Sequence, residues 1–197
     1  TDAKLVAFSG GNKDNAIPRE CMASLIYADA LQAQKADELA CSLAETMADE
    51  ITPYEENFTC EISSEEGRIA DAISAEDAKA FITAMYLAPN GVQSRNIKLD
   101  GFVVVSTNMG VVRAEDDRLV IVFSPRSSVA SLQEEMKARL GLLAETFGFT
   151  ATYSGEYPGW SYKEESPIRE VFLESYRELF GEELKTEALH AGLECGL

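Results

Sequence analysis

Histidine is nearly absent from this chain, because His190 is the single histidine among 197 residues. A protein metal site needs about three side-chain ligands. His190, Glu194 and Cys195 are too few and too close in sequence to form one, so we expect this chain alone to hold no metal and no other cofactor. In a strand, Cys195 and His190 would lie on opposite faces and their side chains would point apart, which excludes a Cys–His hydrolase.

Positive charge is also scarce. The chain carries 17 Lys and Arg against 34 Asp and Glu, a formal net charge of −17, and no cluster of basic residues relieves it. Such a chain repels the phosphates of nucleic acids and the headgroups of anionic lipids. We therefore expect no nucleic acid and no membrane among its partners.

Long apolar runs and paired cysteines are missing as well. No run approaches the roughly 20 residues of a membrane-spanning helix, and residues 1–4 lack a signal-peptide pattern. The cysteines form no Cys-x-x-Cys pair, which predicts reduced, buried thiols instead of disulfides or a zinc knuckle. These absences predict a cytoplasmic protein. The four cysteines are Cys21, Cys41, Cys60 and Cys195.

Short β-type runs are one of the two patterns that the chain does contain. Apolar and polar residues alternate in these runs, as in strands with one solvated face, and short connections between the later runs predict a meander. We therefore expect antiparallel pairing. The predicted strands are residues 4–9, 21–28, 57–63, 99–107, 110–114, 118–123 and 149–153.

Amphipathic helices are the second pattern, since apolar residues at steps of three and four predict four helices. The first, residues 33–51, carries Leu39, Leu43 and Met47 on one face, and the last has a wide apolar face that we expect to touch more than one neighbour. Caps and helix breakers mark the other boundaries. They are Ser74 with Asp77 and Pro89 for the second helix, Ser127 or Ser128 and Gly148 for the third, and Ser166, Pro167 and Gly181 for the fourth.

These elements together predict an α+β fold. We expect antiparallel sheets with helices packed on one face, and two similar strand-and-helix stretches suggest two ferredoxin-like units. The turn-rich residues 155–160 indicate a boundary. Residues 1–156 are therefore expected to form one domain, and residues 157–197 a separate helix and strand.

Three residues are candidates for binding a ligand. Arg126, just before a predicted helix, could attract a carboxylate, and the alternative is a solvated loop arginine. Asn15, in a Gly- and Asn-rich loop, could present its amide, and the alternative is an ordinary turn. His190, in an apolar strand with Gly192, could border a site or be an ordinary buried histidine. Residues 106–110 predict a turn or bulge with outward-facing hydroxyls.

Six segments carry a resemblance to a known family. They are SGGNKDNAIPRE at 9–20, APNGV at 88–92, STNMG at 106–110, PRSS at 125–128, YPGW at 157–160 and HAGLECG at 190–196. Any one of them is weak, but the six in this order and approximate spacing are specific. Over essentially the whole chain they resemble the Xaa-His (aminoacyl-histidine) dipeptidases, cytosolic two-zinc metallopeptidases related to carnosinases.

The resemblance implies a peptide hydrolase of which this chain is a fragment. Residues 1–156 are similar to the lid or dimerisation domain without its first strand, and residues 157–197 to the helix and strand that return to the catalytic domain. The zinc ligands and the general base would lie on that absent domain. We therefore expect this chain to be inactive alone, to form a homodimer, and to close over a dipeptide substrate.

The resemblance also implies roles for site residues. Asn15 would help to hold the substrate backbone or the tetrahedral oxyanion, and Arg126 would pair with the C-terminal carboxylate of the dipeptide. Gly192, near Glu194 and His190, would line the pocket on the histidine side of the substrate. The alternative function is a free-standing ligand-binding or oligomerisation module without catalysis.

Overall fold

The computed structural model describes residues 3–65, 71–115, 118–156, 158–159, 163–187 and 190. Seven strands and four α-helices lie within these ranges. The strands are β1 (Lys4–Gly10), β2 (Cys21–Ile26), β3 (Gly91–Asn96), β4 (Phe102–Thr107), β5 (Met109–Glu115), β6 (Arg118–Phe123) and β7 (Arg126–Ser127). The helices are α1 (Ala30–Ile51), α2 (Ala75–Leu87), α3 (Ala130–Thr146) and α4 (Pro167–Phe180), and a 3₁₀ turn (Ile97–Leu99) precedes β4.

The strands form two antiparallel sheets. The larger sheet has the order β2-β1-β5-β6, and the smaller has the order β3-β4-β7. The larger sheet consists of two hairpins that meet where Gly10 pairs with Val112. The predicted α+β class is confirmed. The two sheets match in number the two units suggested by the sequence. Hairpins, and not β-α-β connections, build the larger sheet, and the smaller sheet is the β3–β4 hairpin with β7 added beside β4.

The two sheets are joined where the chain passes from one to the other. Asn108 alone separates β4 from β5, and Ser124 and Pro125 separate β6 from β7. The backbone N–H of Asn108 donates to the Ser124 carbonyl at 3.3 Å, and the Ser124 N–H donates to the Asn108 carbonyl at 2.9 Å. The two crossing points therefore lie side by side. We call the pair Asn108 and Ser124 the sheet junction.

Helix α2 covers the larger sheet and supplies the centre of the core. Ser74 Oγ accepts a hydrogen bond from the Asp77 N–H at 3.0 Å, which confirms the predicted cap, and α2 ends before Pro89 as predicted. Phe81 is 1% exposed and meets Phe8 edge to face, with ring centroids 5.6 Å apart. Full burial of such a side chain stabilises the fold by about 1.5–3 kcal/mol. The other buried residues of this cluster are Leu5, Ala78 and Val112.

Helix α3 lies beside β7 and turns its predicted apolar face inward. Met136 is buried, and Leu132 is half-buried. The predicted serine caps are wrong, because the N-cap of α3 is Val129, without a side-chain hydrogen bond. Ser127 Oγ instead accepts from the Val129 N–H and donates to the Val129 carbonyl, both at 3.0 Å. This local turn occupies the hydroxyl that a cap would need.

The apolar faces predicted for α1 and α4 are present but uncovered. Leu39 and Leu43 are 59% and 54% exposed, and Phe172 and Phe180 are 62% and 63% exposed. No residue of either helix is buried. The end of α4 at Gly181, with φ of 71°, is as predicted. Across the described ranges, no helix combines the length and apolar character that a membrane span requires.

Two predicted strands are wrong. Residues 57–63 and 149–153 contain no strand. Alternation supplies an apolar face, but a strand also needs a partner edge for its backbone hydrogen bonds, and neither segment pairs with a described strand. Conversely, the sequence does not predict β3, because Pro89, Asn90 and Gly91 read as a turn.

The cysteines also differ from the sequence-based expectation. Cys21, Cys41 and Cys60 are free thiols, but all three are exposed, so the prediction that they are buried is wrong. Cys21 is the first residue of β2, the outermost strand of the larger sheet, and Cys41 lies on the uncovered helix α1. Cys195 lies outside the described residues. None of the three described cysteines belongs to the buried core cluster.

Candidate functional site

The loop between β1 and β2, residues 11–20, carries Asn15 and is anchored at the sheet junction. Asn108 Nδ2 donates to the carbonyl oxygens of Asp14 and Ala16, each at 2.7 Å. These two carbonyls flank Asn15, whose own side chain is exposed. Asn108 therefore holds the backbone around Asn15, while the Asn15 amide, the candidate ligand-binding group, faces solvent.

Two glycines let the backbone of this loop lie directly on β5. A Cβ at Gly110 would overlap the carbonyl oxygens of Lys13 and Asp14, and a Cβ at Gly11 would overlap the Gly110 carbonyl oxygen. Gly11 also has φ of 68°, in the left-handed region that favours glycine. Gly11 and Gly110 thus set how closely the loop with Asn15 approaches the larger sheet.

A second asparagine ties the segment after α2 to the same place. Asn90 Oδ1 accepts a hydrogen bond from the Met109 N–H at 2.8 Å. Met109 follows Asn108 directly, so this contact lies next to the sheet junction. Residues 88–92, residues 106–110 and the loop with Asn15 therefore meet, although they are far apart in sequence.

Arg126 reaches the site from the smaller sheet. It lies in β7, opposite Ser106 of β4, and is half-buried, so it is not a solvated loop arginine. Helix α3 begins at Ala130. No described residue forms an ion pair or hydrogen bond with the Arg126 guanidinium. A half-buried arginine whose guanidinium has no acidic partner in the described part of the chain favours the binding of an anion.

His190 lies against the same part of β4. Its Nε2 is 2.8 Å from Ser106 Oγ, and its ring meets Phe102 edge to face, with centroids 6.2 Å apart. Burial lowers the pKa of His190, the charge of Arg126 lowers it further, and a hydrogen bond with the Val103 backbone opposes both effects. The imidazole is therefore neutral at neutral pH. Ser106 thus brings His190 and Arg126 together.

The hydroxyl groups near the sheet junction are arranged differently from the sequence-based expectation. Ser106 and Thr107 belong to β4 and not to an outward-facing turn. Thr107 is 2% exposed, and its Oγ1 has no hydrogen-bond partner within the described part of the chain. The break between strands is Asn108 alone. Three successive polar residues between two apolar strands are the sequence signal for this junction.

The segment of residues 158–159 passes over β7. A Cβ at Gly159 would overlap the carbonyl oxygen of Ser127, so only glycine lets the chain pass this close to the strand that carries Arg126. The other predicted pocket residues, Gly192 and Glu194, lie outside the described residues. Their roles stay predictions.

A groove of about 560 Å³ opens along the smaller sheet beside His190. Phe102, which contacts His190, forms part of its wall together with Val104. Arg95 and Lys98 also line the groove, and both are exposed. Its volume falls within the range of small-molecule sites.

Ser106 and His190 have the separation of a nucleophile and its base. In such pairs a carboxylate usually orients the imidazole and stabilises the imidazolium that forms during proton transfer. Here a backbone group of Val103 takes that place, and the neighbouring Arg126 disfavours the imidazolium. The arrangement therefore favours positioning over nucleophilic catalysis.

The assembled groups are suited to binding. The Asn15 amide and the Arg126 guanidinium donate hydrogen bonds of the kind that carbonyl and carboxylate oxygens accept. Among the residues with described structure, no group of three or more His, Cys, Asp or Glu could hold a metal ion. The hydrogen-bond donors of the described site are therefore of the kind that suits a small anionic molecule with a carbonyl group.

Comparisons with known proteins bear out the resemblance. Over all 197 residues the chain is 32% identical to a cytosol non-specific dipeptidase of Escherichia coli (strain K12), of which it covers 40%. The crystal structure of an aminoacylhistidine dipeptidase from Vibrio alginolyticus matches this structure with a TM-score of 0.85 and 31% sequence identity. The match covers 99% of this chain and 39% of that one. No protein-family model matches. The chain thus spans about two fifths of the length of its dipeptidase relatives.

Proposed function

We propose that this chain is the substrate-binding segment of a zinc-dependent, cytoplasmic dipeptidase that hydrolyses Xaa-His and related dipeptides. The observation that carries the proposal is the meeting of the loop with Asn15, the strand with Arg126 and His190 at one junction. This junction occurs in a chain that resembles dipeptidases over its full length but covers only 40% of the curated relative. Zinc ligands and the general base are then supplied by residues outside this chain.

Arg126 is proposed to bind the C-terminal carboxylate of the dipeptide. Arg126 is half-buried, and its guanidinium has no acidic partner among the described residues, so its charge is available to a ligand. The neighbouring His190 is neutral, so it neither repels the Arg126 guanidinium nor competes with it for the substrate carboxylate. A bidentate contact fixes the orientation of the substrate as well as its position.

Asn15 is proposed to donate its amide to the peptide carbonyl oxygen, where negative charge develops during hydrolysis. Such preorganised donors lower the barrier because they need no reorganisation during the reaction. When zinc is bound in the complete enzyme, it supplies Lewis-acid polarisation of the carbonyl and an activated water. The residues of this chain orient the dipeptide and close the site. Gly192, Glu194 and His190 are proposed to line the pocket on the histidine side.

The uncovered helices are proposed to be contact surfaces of the complete enzyme. The apolar face of α4 would pack against the catalytic domain, to which residues 157–197 would return. The apolar stripe of α1, with Leu39 and Leu43 more than half exposed, would pack against a second copy of the chain in a homodimer. The support in both cases is apolar surface that no described element covers.

The proposal is tested by replacing Arg126 in the complete zinc-loaded enzyme. We expect Arg126→Gln to lower kcat/KM for β-alanyl-histidine by about 10- to 100-fold, because a charged hydrogen bond is lost. The C-terminal amide of the same dipeptide, which lacks the carboxylate, should lose little. Steady-state kinetics with both substrates gives the comparison.

The matched control is Arg139→Gln, since Arg139 is exposed on α3 and takes part in none of the contacts that form the site. It should leave both substrates unaffected. Equal losses with acid and amide in Arg126→Gln would contradict the role of Arg126. Zinc-dependent hydrolysis by the isolated 197-residue chain would contradict the proposal that the zinc ligands and the general base lie outside it. Dipeptide binding without turnover in the complete protein would favour the ligand-binding module.

A further inference from the structure

We infer that Asn108 is a positioning residue that fixes the separation between Asn15 and Arg126. This inference rests on the proposed function, in which these two side chains hold opposite parts of one dipeptide. Asn108 reaches the Asn15 loop through its side chain and the Arg126 strand through its backbone. It does not itself touch the substrate.

The side chain of Asn108 holds the loop by two hydrogen bonds. Its Nδ2 lies 2.7 Å from the carbonyl oxygens of Asp14 and Ala16. Because both partners are acceptors only, the amide nitrogen, and not the amide oxygen, must face them. Both amide hydrogens are used, and they fix the peptide group before Asn15 and the peptide group that follows Ala16.

The backbone of Asn108 holds the strand that leads to Arg126. Its N–H and its carbonyl both bond to Ser124, at 3.3 Å and 2.9 Å. Ser124 lies two residues before Arg126, with only Pro125 between them, and the proline ring fixes one of the intervening dihedrals. One residue therefore links both candidate substrate contacts through short, stiff paths.

Without the Asn108 amide, the loop has weak internal support. Its other backbone hydrogen bonds are longer: Gly11 N–H to the Glu20 carbonyl is 3.2 Å, and Ala16 N–H to the Lys13 carbonyl is 3.4 Å. The close approach of Gly110 limits motion toward the sheet but not away from it. A displacement of about 1 Å in such a contact can cost about 100-fold in rate.

The test compares Asn108→Asp with Asn12→Asp in the complete zinc-loaded enzyme. Aspartate keeps the shape of Asn108 but removes both donors and turns a negative charge toward two carbonyl oxygens. Asn12 is exposed in the same loop and controls for the added charge. We expect kcat/KM to fall about 100-fold in Asn108→Asp and to stay within about twofold in Asn12→Asp.

Coupling to Asn15 separates positioning from a merely structural role. If Asn108 acts through Asn15, then Asn108→Asp should lower kcat/KM by less than about threefold when Asn15 is already alanine. The two single variants should also divide their losses between kcat and KM in the same way. Fully additive losses, or a different division between kcat and KM, would overturn the inference.

Amide hydrogen exchange distinguishes failure of this inference from failure of the proposed function. Asn108→Asp should accelerate exchange of the Gly11 and Ala16 N–H groups, which bond within the loop, at least about tenfold while α2 is unchanged. Unchanged exchange overturns the inference, whatever the turnover. If exchange is faster but an Asn15→Ala variant has full activity, then Asn108 does hold the loop, and the role of Asn15 in the proposed function is overturned. If Asn108→Asp fails to fold, Asn108→Ser, neutral and too short to reach both carbonyls, gives the same comparison.

Discussion

Helices α2 and α4 are similar in length and both carry an apolar face, but only α2 is seated on a sheet. In α2, Phe81 is 1% exposed and Ala84 is 3% exposed. In α4, Phe172 and Phe180 remain more than 60% exposed. The difference shows that helical periodicity identifies an apolar face but not what covers it. The larger sheet and α2 share a buried core, whereas no described residue covers the apolar face of α4.

The largest expected difference is in stability. Phe81→Ala should lower the free energy of unfolding by about 3–5 kcal/mol, because it empties a filled core position. Phe172→Ala should change it by less than about 0.5 kcal/mol in this chain, since the ring is already solvated. Urea denaturation followed by circular dichroism measures both. Equal losses would show that α4 is covered after all.

A smaller loss is expected where the loop lies on β5. Gly110→Ala should cost about 3 kcal/mol, because its methyl group meets two backbone carbonyl oxygens that cannot rotate away. Gly148→Ala has open space and only a left-handed φ of 75° to accommodate, so about 1 kcal/mol is expected. Thermal unfolding of the two variants gives the ranking, and the reverse order would refute the close approach.

Charge on α1 tests whether its uncovered face meets a second copy. The double variant Leu39→Glu and Leu43→Glu should weaken self-association at least about tenfold, because burying each carboxylate is costly. Leu142→Glu, at a residue 64% exposed on α3, is the matched control. Sedimentation equilibrium measures the dissociation constant. A parent chain that stays monomeric at all concentrations would contradict the homodimer proposal.

The smallest expected effect is the pH dependence that His190 confers. Its pKa is lowered in the folded protein, mainly by burial and then by Arg126. The unfolded state therefore binds more protons, so the contribution to stability is present above pH of about 6.5 and is lost as pH falls through the lowered pKa. His190→Gln should flatten this slope in urea titrations between pH 5 and 7. An unchanged slope would show that His190 is not buried against Arg126.

Local chemistry explains which parts of the fold could be predicted from the sequence. The cap formed by Ser74 and Asp77 and the end of α4 at Gly181 depend on neighbours a few residues away. The false strand at 57–63 and the unpredicted β3 depend on whether a partner edge is available, which alternation does not encode. Periodicity therefore predicted faces well and pairing poorly.

The sequence identified some residues of the candidate site and missed others, for the same reason. Asn15 and Arg126 were recognisable because each lies in a distinctive segment, and the structure brings both segments to the sheet junction. Asn108 was not recognisable as their link, because its contacts with Ala16 and Asp14 span 92 and 94 residues. A side chain that bonds only to distant backbone leaves no local pattern in the sequence.

The span between Asn108 and Asp14 also bears on the order of folding. The hairpins β1–β2 and β5–β6 each form from neighbouring residues, whereas their union at Gly10 and Val112 requires closing a long loop, whose entropy must be paid before any contact forms. We therefore expect secondary structure to appear early and the alignment of Asn15 with Arg126 to come last. During refolding, affinity for a dipeptide should develop more slowly than helical circular dichroism.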